Sequence, residues 1–299
     1  MLPEMRTRVL PKRSKRPRIA IVGAGNLASA LATSLHAAGY TLDQIVARPT
    51  GASLRRARRL AEQVGAIGVT AQKVQISADI VWFCVPDGVI RAAATSMEHS
   101  TQWNHKIAIH SSGALTSDEL SSLKKRGATV ASVHPLMTFV RGSQPSLTGV
   151  PFAIEGDAVA VQEARRIVKS LGGEAYSIRP EDKAAYHAWG TFASPLFTAL
   201  LATCERVAAG AGVKRDAAKK KMLPILKQTL ANYETFGADG TFSGPIVRGD
   251  VETVKRHVAI LHKVPIARAV YVALAQAAVA YLPSKNKDSL KQILKIRSL

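Results

Sequence analysis

The chain is poor in the features that mark secreted, membrane-spanning or nucleic-acid-reading proteins. It has two cysteines, Cys84 and Cys204. They lie far apart, without metal or redox spacing, which argues against a disulfide scaffold and predicts a reduced, cytoplasmic setting. No run of about twenty apolar residues is clean: Ser194 to Val213 contains Glu205 and Arg206, and Val264 to Leu282 contains Pro265 and Arg268. Both stretches read as buried helices, so no membrane partner is expected. Aromatic residues make up only 5% of the chain, and none are interleaved with the basic runs to stack on bases.

Acidic residues are scarce as well: 21 Asp and Glu face 41 Lys and Arg, for a net charge of +20. Part of the excess is local. Residues 1–17 hold Arg6, Arg8, Lys12, Arg13, Lys15 and Arg16 against Glu4 alone, and they lack the apolar core of a secretory signal. They read as a basic disordered arm, or as an over-extended start. A basic tail at 284–299 carries Lys285, Lys287, Lys291, Lys295 and Arg297. Such a surface attracts polyanions without reading their sequence. No recognition-helix motif accompanies it, so no specific nucleic acid is expected, and an anionic cofactor accounts for the charge more simply.

What the chain does have is a regular alternation of patterns. Strand-like apolar runs at 18–22, 44–47, 67–69, 79–84, 106–110, 129–133, 151–155 and 174–178 alternate with helical patterns at 26–38, 52–64, 88–97, 116–125 and 158–171. This predicts an α/β fold, a doubly wound, mostly parallel Rossmann sheet over 18–180 with right-handed crossovers. From Glu181 onward, alanine- and leucine-rich helical patterns take over, at 183–210, 214–235, 250–262 and 264–281. Residues 181–283 are therefore expected to form an all-helical C-terminal domain.

The first strand runs into Gly23-Ala24-Gly25-Asn26-Leu27-Ala28, a Gly-x-Gly-x-x-Ala turn that opens a helix. Gly23 permits the sharp turn, Gly25 lets a pyrophosphate approach the backbone, and Ala28 lets the helix pack closely on the strand. The N–H groups at the helix start and the positive end of its dipole suit phosphate. Asp43 has the spacing of a residue that binds the ribose 2′-OH of NAD, but it stands at the wrong end of its strand. The carboxyl end carries Arg48, followed by Ser53, Arg55 and Arg56, and arginine there suits a 2′-phosphate. NADP is therefore the expected cofactor. Arg58 and Arg59 read as a solvated helix face.

Ligands of open α/β sheets sit beyond the carboxyl ends of the strands. Val85-Pro86-Asp87 ends one strand and would line the adenosine-side ribose and diphosphate. Asp87 has the alternative of capping the next helix. His110-Ser111-Ser112-Gly113 leaves room for a nicotinamide ring beside Ser111 and Ser112, and His134 falls beside it with either a structural or a catalytic role. Lys183 and His187 share one helix face and could protonate a carbonyl or imine that receives a hydride. The alternative is an exposed helix start at which Lys183 balances Glu181 and Asp182. Arg248, in Gly244-Pro245-x-x-Arg248-Gly249-Asp250, could clamp a substrate carboxylate, or pair with Asp250 or with a second subunit. Asp250 is expected to cap the helix that carries His257.

Taken together, the motifs at Gly23 to Ala28, Val85 to Asp87, His110 to Gly113, His134 to Leu136, Lys183 to His187 and Gly244 to Asp250 give a resemblance covering about 17–283. The chain resembles the Rossmann-like family with a C-terminal DUF2520 domain. That family is related to pyrroline-5-carboxylate reductase, the 3-hydroxyisobutyrate and 6-phosphogluconate dehydrogenases, and F420-dependent NADP oxidoreductases. The resemblance implies that Lys183 matches an active-site lysine, while His187 stands where the hydroxyacid dehydrogenases carry asparagine. It also implies a homodimer formed through the helical domain. Pro195 stands where the family carries another asparagine, and proline cannot bind substrate through an amide.

The expected function is an NADP-dependent oxidoreductase acting on a small oxo or imino acid. Lys183, His187 or His134 would supply the proton, and Ser112, Gly113 and Arg248 would contact the substrate. The alternative is a catalytically inactive NADP-binding sensor or scaffold.

Overall fold

The computed structural model describes residues 16–295. The basic arm up to Lys15 and the end of the tail, 296–299 with Arg297, lie outside them. The chain divides into two compact units between Gly190 and Thr191.

The first unit is built on one eight-stranded sheet. Its strands are β1 (Ile19–Val22), β2 (Leu42–Ala47), β3 (Ile67–Thr70), β4 (Ile80–Phe83), β5 (Ile107–His110), β6 (Thr129–Pro135), β7 (Pro151–Gly156) and β8 (Glu174–Ser177), in the order β3-β2-β1-β4-β5-β6-β7-β8. All neighbours are parallel except β6 and β7, which run antiparallel with Ser132 opposite Glu155. The order from β3 to β6 is that of a dinucleotide-binding sheet, whose direction of winding reverses between β1 and β4.

Strands such as Ile19-Ala20-Ile21-Val22 are apolar at every position because both faces of the sheet are covered. Ile19 and Ile21 enter one core with Leu31, Leu35, Trp82 and Ile109. Ala20 and Val22 enter the other with Val81, Phe83, Met97 and Trp103. The covering helices are α1 (Asn26–Ala37), α2 (Gly51–Gln63), α3 (Ile90–Ser96), α4 (Ser121–Lys124) and α5 (Ala158–Ser170). Thr50 caps α2 through the Ser53 N–H, and Arg55, Arg56, Arg58 and Arg59 are exposed. Helix α6 (Lys183–Thr191) leads out of this unit.

The second unit is helical: α7 (Phe197–Gly210), α8 (Arg215–Thr241), α9 (Pro245–Arg248), α10 (Val251–Ile260), α11 (Pro265–Tyr281) and α12 (Lys287–Leu294). The single long helix expected at 183–210 is interrupted by a π-turn at Phe192–Leu196 that contains Pro195. Proline has no N–H for the helical bond, and the extra residue of a π-turn absorbs the defect. The segment 284–299, expected to be a tail, instead contains α12. Its Leu290 and Leu294, one turn apart, are buried with Val254, Val258, Ala275 and Val279. The lysines stay on the wet side while the leucines fill the core.

Among the described residues, no single helix is long and apolar enough to cross a membrane.

Candidate functional site

At the point where the sheet's winding reverses, the ends of β1, β2 and β4 enclose a cavity of about 590 Å³ lined by Gly23, Gly25, Arg48, Ser53, Arg56 and Val85, among others. Gly23 has φ +121°, and a Cβ there would lie 2.3 Å from the Cys84 carbonyl oxygen, so only glycine fits the turn. A Cβ at Gly25 would meet nothing within 4 Å. The space beside its backbone is open, as a phosphate cradle requires. Ala28 is fully buried against the sheet, as its place in the turn predicts.

Asn26 opens α1, and its Nδ2 donates to the Phe139 carbonyl at 3.1 Å, so its side chain pins the loop after β6 and leaves its backbone N–H for a ligand. Asp43 is committed at the far end of β2: it accepts from Ser77 Oγ at 3.0 Å and pairs with Arg18 at 3.3 Å. Arg48, Ser53 and Arg56 are thus the polar side chains of this cavity next to β2, and they fit a phosphorylated ribose.

A second group of polar side chains gathers beyond β5 and β6. His110 is fully buried. Its Nε2–H donates to the Thr116 carbonyl at 2.9 Å, and its Nδ1 accepts the Ser112 N–H at 3.1 Å. Burial pushes its pKa down to about 4, so the ring is neutral and serves as a brace for the loop. Trp82 Nε1 donates to Ser111 Oγ at 2.8 Å. Ser112 Oγ donates to Asp87 at 2.8 Å and accepts the Ala114 and Leu115 N–H groups. The hydroxyl of Ser112 is therefore spent on shaping the loop. Asp87 does not cap the following turn; it holds Ser112.

Lys183 overturns the reading of an exposed helix start. It is completely buried, and its Nζ donates to the Ser112 carbonyl at 3.0 Å and to Ser132 Oγ at 2.7 Å. Arg179, not Lys183, pairs with Asp182 and Glu181. Burial lowers the Lys183 pKa, against the opposing pull of Glu155 and Asp87.

One turn further along α6, His187 is exposed. It stands near His134, with ring centroids 6.3 Å apart. Gly113 lies between them: a Cβ there would come within 2.8 Å of the His187 ring and 2.9 Å of His134 Nε2. His134 is partly buried, and its Nδ1 is 2.7 Å from the Tyr186 hydroxyl. Burial, reinforced by the charges of Lys183 and His187, lowers its pKa to about 4. Burial also raises the Tyr186 pKa, with Tyr176 adding to the effect.

The first unit thus brings together His134, Lys183, His187, Ser112 and Gly113. Arg248 belongs to the second unit, where it is exposed at the end of α9, and Asp250 caps α10 through the Thr253 N–H at 3.0 Å. Sequence reasoning missed three members of the site. Tyr186 carried no local signal. Ser132 and Glu155, which accepts from Ser117 N and Oγ at 2.7 and 2.9 Å, were visible as polar residues within apolar strands.

These features define a Rossmann-type dinucleotide fold with a polar cluster at the carboxyl edge of its sheet. Residues 18–112 match the family described as NADP oxidoreductase, coenzyme F420-dependent, and residues 150–278 match the domain of unknown function DUF2520. The first match lies within the sheet unit, and the second runs from β7 to α11. No curated protein matches it significantly.

Solved structures that share the fold include the following three. A Bacteroides fragilis protein assigned as an NADP oxidoreductase is 21% identical, with a TM-score of 0.73, over 87% of this chain and 97% of its own. A reductive aminase of Aspergillus terreus, solved with NADPH and ethyl-5-oxohexanoate, is 14% identical with a TM-score of 0.65, over 93% of this chain and 99% of its own. An imine reductase from a Pseudomonas species is 20% identical with a TM-score of 0.63, over 94% of this chain and 100% of its own.

Proposed function

We propose that the chain is an NADP-dependent oxidoreductase that transfers a hydride to or from a small oxo or imino acid. The observation that carries this reading is that a single sheet edge holds both the glycine-turn cavity and the His134–Lys183–His187 cluster. Gly23, Gly25 and the N–H groups of Asn26, Leu27 and Ala28 would hold the diphosphate, and Arg48 the 2′-phosphate. Val85 and Pro86 would flank the adenosine side, with Asp87, Ser111 and Ser112 framing the nicotinamide side. When bound, the cofactor supplies or accepts the hydride.

The chain's own residues do the rest. Lys183 fixes the Ser112–Gly113 floor from below. His187 and His134, on either side of Gly113, supply the proton or polarise the substrate oxygen or nitrogen.

The test is a thermal-shift titration with NADPH, NADP, NADH and NAD on the wild type and on Arg48→Ala. At a concentration of about 100 times Kd, a ligand adds roughly 2.7 kcal/mol of stability. The phosphorylated pair is expected to stabilise the wild type and to lose most of that effect in the variant, which would justify screening oxo and imino acids. If none of the four shifts the melting temperature, the glycine turn is architecture only and the reading falls. Tight binding with no turnover on any such acid would leave a sensor.

The same proposal includes a homodimer formed through the helical unit. In α8 only Ala218 is buried, while Ile225, Leu230, Tyr233 and Phe236 are exposed. Most helical stability comes from packing an apolar face, and exposed apolar side chains on this scale mark an interface. A second copy of the chain is the expected cover. Light scattering should give twice the chain mass at micromolar concentration, and a monomer there would remove the dimer from the proposal.

A further inference from the structure

We propose that Tyr186 is a positioning residue that locks His134 in the Nε2–H tautomer, so that His134 meets the substrate as a neutral hydrogen-bond donor and not as its acid or base. The inference rests on the oxidoreductase reading for its functional meaning, but the tautomer itself rests on geometry.

The Tyr186 hydroxyl and His134 Nδ1 are 2.7 Å apart, so one of them donates to the other. If Nδ1 carried the proton, the Tyr186 O–H would need a different acceptor. Tyr186 is buried; His134 Nδ1 makes the short hydrogen bond to its hydroxyl, and Tyr176 is the other side chain that interacts with it. The other hydroxyl nearby belongs to Tyr176, whose ring centroid is 6.4 Å away. That hydroxyl is itself buried without a partner, so it needs an acceptor and competes as a donor. Leaving a buried O–H unpaired is costly, while leaving a spare lone pair on a tyrosine oxygen is not. The favoured arrangement therefore has Tyr186 donating to Nδ1, with the ring proton on Nε2.

Nε2 has no partner among the described residues and points to Gly113, where only hydrogen fills the place of a side chain. A residue with a Cβ would cover that N–H, and glycine leaves it uncovered. His110 is held in the same tautomer by its own pair of bonds. Both rings thus reach the site with their protonation already decided by the fold. The remaining imidazole beside Gly113, on the exposed face of α6, is His187, which leaves the proton-transfer role to that side chain.

Nitrogen-15 imidazole spectra of histidine-labelled full-length protein, recorded without cofactor between about pH 5.5 and pH 8, read the tautomer directly, with His134→Gln identifying the resonance. The expected spectrum shows an unprotonated Nδ1 and a protonated Nε2 throughout, with a single tautomer populated. In Tyr186→Phe, which keeps the ring packing, the two tautomers should mix. Three outcomes would overturn the proposal: a protonated Nδ1, a doubly protonated ring at neutral pH, or a Tyr186→Phe spectrum identical to wild type. The spectra do not depend on NADP binding, so failure of the thermal-shift test and failure of this one are separate results.

Discussion

Acidifying the protein from about pH 7 to about pH 4 is expected to remove several kcal/mol of folding stability, most of it through two neutral histidines. His110 and His134 are each held down to about 4 in the folded chain, from an ordinary value of 6.5, chiefly by burial. Between those limits the unfolded state binds more protons than the folded one, so stability rises with pH across the window and is complete above about 6.5. Each fully protected histidine contributes about 1.4 kcal/mol per pH unit. For His110, which is completely enclosed, the sum over the window is roughly 3 kcal/mol. His134 is partly exposed and contributes less, roughly half of that once solvent screening is allowed for. The total is a large share of an ordinary domain's stability, about 5–15 kcal/mol. Urea unfolding of the wild type at pH steps through the window measures the loss, and His110→Gln should make the curve shallower. A wild-type stability that stays level down to pH 4 would mean that these rings are not held neutral.

The parts of this structure that could be read from the sequence are those specified locally. The central strands β1 and β4 were visible as apolar runs because a sheet covered on both faces needs apolar residues at every position, whereas the edge strand β8, Glu-Ala-Tyr-Ser, is at least partly exposed at every position and was placed by the alternation of patterns along the chain. The glycine turn was visible because its three small residues answer three separate steric demands within six positions. Lys183 and His187 were visible as a pair by helical spacing, but their different fates were not. One is buried under the Ser112–Gly113 loop and the other is exposed, and which way the helix faces is decided by the β5 and β6 loop ends, far away in sequence. Tyr186 could not be found at all. It meets His134 across a large separation in the chain, and an aromatic residue in a helix is ordinary core material until the fold brings it to an imidazole. The pairing of Ser132 with Glu155 depends on β7 running antiparallel, which the long connection between Pro135 and Pro151 conceals. The π-turn at Pro195 had a clear local cause. Helix α12 was hidden by its lysines, although the Leu290 and Leu294 spacing was there to be read.

Lys183→Met is expected to cost turnover about a hundredfold, the scale on which a small misplacement of the groups around a reacting centre loses rate, while leaving the fold close to its wild-type stability. The second half of that expectation follows from what the lysine is bound to. Its ammonium is buried against a neutral carbonyl and a neutral hydroxyl, and no carboxylate forms a salt bridge with it among the described residues. Its hydrogen bonds and the attraction of Glu155 and Asp87 are set against a desolvation penalty of several kcal/mol for the buried charge. Methionine fills nearly the same volume without that penalty, so the two changes largely cancel. A side chain that adds so little to stability has its value elsewhere. It reinforces the bond that the Ser132 hydroxyl itself donates to the Ser112 carbonyl at 3.1 Å, which steadies the loop holding Gly113, and its charge helps keep His134 and His110 unprotonated. The variant should therefore also lose less stability in acid than the wild type, because both histidines move part of the way back toward their ordinary value while burial continues to hold them low. Denaturant unfolding at pH 7 and pH 5 and a turnover assay on the substrate found by screening together decide the matter. A variant that unfolds several kcal/mol more easily at pH 7 would make Lys183 a structural brace. One that turns over at the wild-type rate would take it out of the mechanism.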